Sequence, residues 1–93
     1  MIRSFKDRKT EAVFNGECPK GFPQDIFRVA RRKLTMIDAA TSLNDLRAVP
    51  GNKLPPLKED RAGQCAIWLN DQYRVCFVWT NDGAESVEIA DYH

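Results

Sequence analysis

The apolar residues of this 93-residue chain change their period at Gly63, and that change governs what the chain can fold into. Ahead of it, Ile26, Val29, Ala30, Leu34 and Ile37 recur at steps of three and four. Such spacing predicts an amphipathic helix running to about Ala40, with Pro23 in its first turn, where a missing N–H costs nothing. Beyond Gly63, Ala66-Ile67-Trp68-Leu69 and Tyr73-Arg74-Val75-Cys76-Phe77-Val78-Trp79 are rich in aromatic and β-branched residues, as strands are. Asn70-Asp71-Gln72 between them reads as a hairpin turn, Asn81-Asp82-Gly83 as a second turn, and Ser86-Val87-Glu88-Ile89 as a last strand. A helical stripe and a hairpin sheet each need another layer to bury against. The fold class is therefore α+β, with two helices covering one face of a small, mostly antiparallel sheet.

The rest of the chain fills in that order. Ile2 to Phe5 alternates like an edge strand, and Asp7 can cap a short helix from Arg8 to Phe14 that Asn15-Gly16 ends. Glu17 to Phe22 is loop by its Pro and Gly. Residues 41–64 form a long loop punctuated by Pro50-Gly51-Asn52, Pro55-Pro56 and Gly63, with helical spacing persisting only briefly from Leu43 to Leu46. Long loops in small domains serve function more often than not, and this one carries Lys53, Lys58 and Arg61. The expected order is β-α-α-loop-β-β-β in one domain over residues 1–93. At 43% hydrophobic and 10% aromatic the chain has enough to bury and is not a disordered one. Without an apolar run long enough for a membrane span, and with a charged Met1-Ile2-Arg3-Ser4-Phe5-Lys6 opening instead of a secretory signal, the expected location is cytoplasmic.

A formal net charge of +1 conceals a gradient: residues 1–33 carry a net +5, residues 34–74 balance, and residues 75–93 carry four acids and no Lys or Arg. A basic segment suits a polyanion if folding keeps it apart from the acidic end. Arg28, Arg31 and Arg32 fall on the helix side opposite the apolar stripe. That face is either a solvated one or a contact for a phosphate backbone or an acidic partner.

Cys18, Cys65 and Cys76 have no C-x-x-C spacing, and one histidine cannot complete a zinc site with them. No metal is expected, and Cys65 and Cys76 read as small buried hydrophobes. Nor is there a glycine-rich phosphate loop or a nucleophile elbow. The chemistry-bearing residues lie elsewhere. His93, the sole histidine, ends the Asp91-Tyr92-His93 triplet. It is either a frayed terminus or a proton-transfer group near neutral pH, with Tyr92 as hydrogen-bond donor and Asp91 as orienter. Arg74 interrupts an apolar strand and must either pair with a carboxylate or point at a ligand, for which its fork suits phosphate. Lys58 and Arg61 can add charge beside it. Cations for a phosphorane-like transition state, with a proton-transfer group nearby, are what cleavage of RNA by its own 2′-OH requires. Tyr73, Trp68 and Trp79 are either core residues or platforms for bases.

Three segments taken together resemble a known family. Leu57-Lys58-Glu59-Asp60-Arg61-Ala62-Gly63, Gln72-Tyr73-Arg74-Val75-Cys76-Phe77 and the ending Asp91-Tyr92-His93 are similar to the HigB-type toxins of the RelE/ParE superfamily, as are Ile2-Arg3-Ser4-Phe5 and Met36-Ile37-Asp38-Ala39-Ala40-Thr41. The resemblance implies a small RelE/ParE-like toxin paired with a helix-turn-helix antitoxin of the HigA type, reaching operator DNA only through that antitoxin. It implies ribosome-dependent cutting of mRNA in the A site, by 2′-OH attack on the adjacent phosphate, without a cofactor or a membrane. By position, Arg74 would stabilise phosphate charge and Lys58 would supply charge or proton transfer. Asp91, Tyr92 and His93 would form the proton-transfer cluster. Gln72 would lie near the codon bases. Beside what the resemblance implies, the residues themselves offer Arg61 as added charge for RNA, Tyr73 as a ring for a base, and Arg31 and Arg32 as contacts for either ribosomal RNA or the antitoxin. Pro55, where some relatives have histidine, and Glu59, where glycine is common, point to slow cleavage. Two rivals share this reading: a non-nucleolytic gyrase poison on the same fold, against which the Asp-Tyr-His ending argues, and a binding module contacting a partner through residues 1–33.

Overall fold

The computed structural model describes residues 1–54 and 64–91. Helix α1 (Arg8–Phe14) begins where the Asp7 carboxylate accepts the Thr10 N–H at 2.7 Å, and it ends at Asn15. Pro23 stands just ahead of α2 (Gln24–Ala39), at the cap position rather than in the first turn. The buried side of α2 is Ile26, Ala30, Lys33, Leu34 and Ile37, while Arg28, Arg31 and Arg32 are exposed.

The long loop expected over residues 41–64 contains more regular structure than its prolines suggested. A third helix, α3 (Leu43–Arg47), starts from a reciprocal capping box between Ser42 and Asp45. Asp45 accepts the Thr41 N–H and hydroxyl and the Ser42 N–H, and these bonds, Thr41's foremost, hold its carboxyl below the usual carboxylate range. A 3₁₀ turn at Pro50–Asn52 follows. The local spacing from Leu43 to Leu46 was thus a true helix.

Strands β1 (Gln64–Trp68), β2 (Tyr73–Thr80) and β3 (Gly83–Asp91) form one antiparallel sheet in the order β1-β2-β3. The last strand is longer than expected because a bulge lets it continue. Cys76 pairs with Glu88 and Val78 with Glu85, so β3 carries one extra residue there, and Ser86 takes the left-handed φ of 54°. The bulge shifts the inward phase, so both Ala84 and Val87 are buried. The expected edge strand at Ile2–Phe5 is reduced to two parallel bridges, Ile2 to Ala84 and Phe5 to Val87, along the outer edge of β3. Gly83 makes this approach possible. Its φ is 129°, and a Cβ there would lie 2.1 Å from the Met1 carbonyl oxygen.

Helices cover one face of the sheet. Cys65, Ile67 and Leu69, with Val75 and Phe77, and with Val87 and Ile89, bury inward against Val13, Ile26, Ala30, Leu34 and Ile37. Alternation turns Ala66, Trp68, Arg74, Cys76, Val78, Glu88 and Ala90 to the opposite face, where all are half-buried. Cys65 is buried as expected, and burial pushes its thiol pKa up to about 11. Cys76 is not, because it shares the strand phase of Arg74. Among the described residues no helix is long and apolar enough to cross a membrane.

A buried polar bond joins the helical layer to the sheet. The Ile89 N–H donates to the Thr10 hydroxyl at 3.0 Å, and Thr10 is 0% exposed. Thr10→Val keeps the shape and removes the acceptor, so a loss of about 1–3 kcal/mol is expected from the orphaned N–H. Urea unfolding of the two proteins measures it, and equal midpoints would show that this bond contributes nothing.

Candidate active site

The hairpin between β1 and β2 sets the geometry of the site. The Asn70 side-chain oxygen accepts the Gln72 and Tyr73 N–H groups, each at 2.8 Å, which closes the turn as a local side-chain mimic of backbone pairing. From there Arg74 enters β2 opposite Trp68 on β1 and Ala90 on β3. Its guanidinium folds back on the turn, donating from Nη1 to the Asn70 carbonyl and, at 3.0 Å, to the Tyr73 carbonyl. The neighbouring register position pairs Tyr73 with Asp91, and the Gln72 side-chain amide donates to both Asp91 carboxylate oxygens at 3.2 Å. Gln72, Arg74 and Asp91 therefore lie at one end of the sheet, Asp91 in the strand phase of Tyr73 and opposite to that of Arg74, although Asp91 is seventeen positions beyond Arg74 in sequence.

Two further residues border this end. The Lys53 ammonium lies over the Trp68 ring, 4.0 Å from its centroid. Lys53 is itself held in the left-handed region, φ 49°, immediately after the 3₁₀ turn. That turn is fixed from within by Lys33, which is only 4% exposed. Its ammonium donates to the Gly51 carbonyl at 3.0 Å and to Asn52 Oδ1 at 2.7 Å, and Asn52 donates to the Leu46 carbonyl at 2.9 Å. Burial first, and the Arg32 charge second, push the Lys33 pKa below its ordinary value. Lys33 thus leaves the basic surface to which its sequence neighbours Arg31 and Arg32 belong.

The remaining candidates divide by position. Lys58, Arg61, Tyr92 and His93 lie outside the described residues, as do Pro55 and Glu59. Tyr73 is half-buried and packs against the hydrophobic core, on the face away from Arg74. Arg31 and Arg32 project from α2, which packs on the helical side of the sheet, so they do not join Arg74. Trp79 also packs on the core, whereas Trp68 takes the Arg74 face. The period-2 alternation of Cys65, Ile67 and Leu69 is the signal that separates the two tryptophans. Asn52 gave no such signal, since its role depends on a lysine far away in sequence. Among the described residues no group of three His, Cys, Asp or Glu side chains could hold a metal ion. What this end of the sheet offers is a bidentate cation, a carboxylate held by an amide, and an aromatic ring beside a second cation. Those groups suit an anionic ligand carrying flat rings.

Known proteins resemble this chain along its whole length. A model of HigB-like toxins, described as RelE-like toxins of the type II toxin–antitoxin system HigB, matches residues 3–93. Toxin HigB-1 of Vibrio cholerae serotype O1 is 35% identical over 94 residues, covering 100% of this chain and 98% of the relative. Endoribonuclease HigB of Proteus vulgaris is 36% identical over 94 residues, with 100% of both chains covered. An uncharacterized protein of Haemophilus influenzae is 34% identical over 67 residues, 72% of this chain and 66% of its own.

Proposed function

Because the chain belongs to the HigB family of RelE-like toxins of type II toxin–antitoxin systems, we propose that it is an endoribonuclease that enters the ribosomal A site and cuts the translated message there. One observation carries the reading. The β2–β3 register brings Arg74 and Asp91 to adjacent positions, and Tyr92 and His93 follow Asp91 directly. The cation suited to phosphate is thus on the strand beside the one that leads into the proton-transfer triplet.

The nucleophile and the leaving group both belong to the message. A base removes the proton of the 2′-OH, and the resulting oxygen attacks the adjacent phosphorus. Negative charge builds on the phosphoryl oxygens, where the Arg74 fork and Lys58 stabilise it. The P–O5′ bond breaks, and an acid protonates the departing oxygen. The products are a 2′,3′-cyclic phosphate and a 5′-hydroxyl. Of the candidates, His93 has the ordinary pKa best matched to proton transfer near neutrality. Tyr92 assists by hydrogen bonding, and Asp91, itself held by Gln72, orients the cluster.

A toxin of this class is paired with an antitoxin; a helix-turn-helix protein of the HigA type is the partner proposed here. The exposed arginines Arg28, Arg31 and Arg32 on α2 form a basic face distinct from the Arg74 face, available to that partner or to ribosomal RNA.

The deciding experiment is translation of a defined message in a purified system, with 3′ ends mapped and with ribosomes present or omitted. Cuts that require ribosomes and end in cyclic phosphate are the expected result. A folded, toxic protein that leaves every message intact would overturn the proposal, and DNA breaks in its place would move the target to gyrase.

A further inference from the structure

The geometry points to Trp68 and Lys53 as a nucleobase-binding subsite beside Arg74, in which a base of single-stranded RNA stacks on the indole while Lys53 moves to a backbone phosphate. The inference deepens the functional reading above and rests on it for the choice of RNA as ligand. Nothing in the phosphate chemistry requires this tryptophan. It is half-buried on the Arg74 face, directly across from Arg74 in the β1–β2 register, and outside the hydrophobic core that claims Tyr73 and Trp79. A large aromatic side chain at such a position needs a partner for its ring, and here that partner is an ammonium 4.0 Å from the centroid.

The ammonium is held there at some cost. Lys53 occupies left-handed backbone space that a non-glycine residue seldom adopts, and strain of this kind persists only where surrounding structure imposes it. The buried Lys33–Asn52 bond does so, fixing the turn from which Lys53 leaves. The result is a flat ring flanked by two cations, Lys53 and Arg74, at the strand end. Two acidic groups of the neighbouring strand are already engaged, Glu88 lying 3.4 Å from Lys6 and Asp91 being held by Gln72. A stacking surface next to positive charge is the recurring way to hold a single strand, the ring taking the base and the cations the backbone. A phosphate drawn to Lys53 would exchange the cation–ring contact for a charge-paired one and uncover the ring for the base.

The test uses the full chain and a short 2′-O-methyl RNA, which cannot undergo 2′-OH attack. The chain has 2 tryptophans, so the difference in emission between the native protein and Trp68→Phe isolates Trp68. RNA is expected to quench that component saturably. Trp68→Phe should bind within about threefold of the native protein, and Trp68→Ala about tenfold or more weakly. Lys53→Gln should flatten the logarithmic salt dependence of binding by about 0.7, the contribution of one phosphate contact on a single strand. Unaltered Trp68 emission at saturating RNA, or native affinity in folded Trp68→Ala, would overturn the inference. Saturable quenching by a protein that cuts no message would leave the subsite standing and remove the nuclease reading, so the two failures are distinct.

Discussion

Arg74→Ala is expected to lower message cleavage by about 10²–10³-fold, the usual consequence of removing one donor to a developing oxyanion. The fold should survive, and the structure says why. Arg74 is half-buried on the face of the sheet away from the helices, and its contacts include the Asn70 and Tyr73 carbonyls. The Tyr73 carbonyl also accepts the Leu69 and Asn70 N–H groups at 3.1 and 3.4 Å, so it keeps partners without the guanidinium. Stability should therefore change by less than about 1 kcal/mol. Arg74→Lys separates charge from geometry, because lysine retains the cation but cannot offer two parallel donors to a phosphoryl group. Its rate should fall between those of the native protein and the alanine variant. Single-turnover cleavage on programmed ribosomes, alongside thermal unfolding, makes the measurement. A folded alanine variant cutting at the native rate would remove Arg74 from the reaction.

The parts of this fold that were legible in the sequence are those determined locally. Asp7 and the Asn15-Gly16 pair delimit α1 because capping and termination act within one turn. The α2 stripe and the hairpin at Asn70 were likewise legible from spacing and turn chemistry. The fold's less legible features depend on residues distant in sequence. Ile2 and Phe5 pair with β3 only because Gly83 admits the Met1 carbonyl, and the extension of β3 depends on Ser86 taking a left-handed conformation. Lys33 is the instructive case. It follows Arg31 and Arg32 in a basic run, yet it stands seven positions after Ile26 and four before Ile37, squarely on the apolar stripe. Helical phase outweighed residue type, and the acceptors that make its burial tolerable, Gly51 and Asn52, were hidden in a presumed loop.

The candidate site divides in the same way. Arg74 was noticeable as a charge within an apolar strand, and Asp91 as part of a distinctive ending. Their adjacency on neighbouring strands required the strand register, which β3 sets only with its bulge in place. Trp68 and Trp79 look alike in the sequence as strand aromatics. Their roles separate only when the inward phase of each strand is known, one ring joining the core and the other lying across from Arg74.

Asn52→Ala is expected to destabilise the fold strongly. Asn52 is 0% exposed, accepts from the Lys33 ammonium at 2.7 Å and donates to the Leu46 carbonyl at 2.9 Å. Its loss removes one acceptor from a nearly buried cation and the Asn52 donor from the Leu46 carbonyl, together about 3 kcal/mol. For a domain of this size that corresponds to a drop in Tm of roughly 12–24 °C. The deficit should shrink at alkaline pH, and the sign follows from proton binding. Lys33 has a folded pKa below its ordinary 10.5, so between the two values the unfolded chain holds more protons and stability from this group rises with pH. Removing Asn52 takes away a bond that favours the charged form, which lowers the folded pKa further and enlarges that rise. The native and Asn52→Ala curves should therefore converge as pH climbs toward 10.5, and the convergence should vanish when both carry Lys33→Met. Urea unfolding of the four proteins across that range tests it. A deficit independent of pH would mean that the Asn52 side chain acts through packing and the Leu46 bond alone. The same substitution frees the turn before Lys53, so RNA affinity should fall with stability in Asn52→Ala, even at temperatures where the protein remains fully folded.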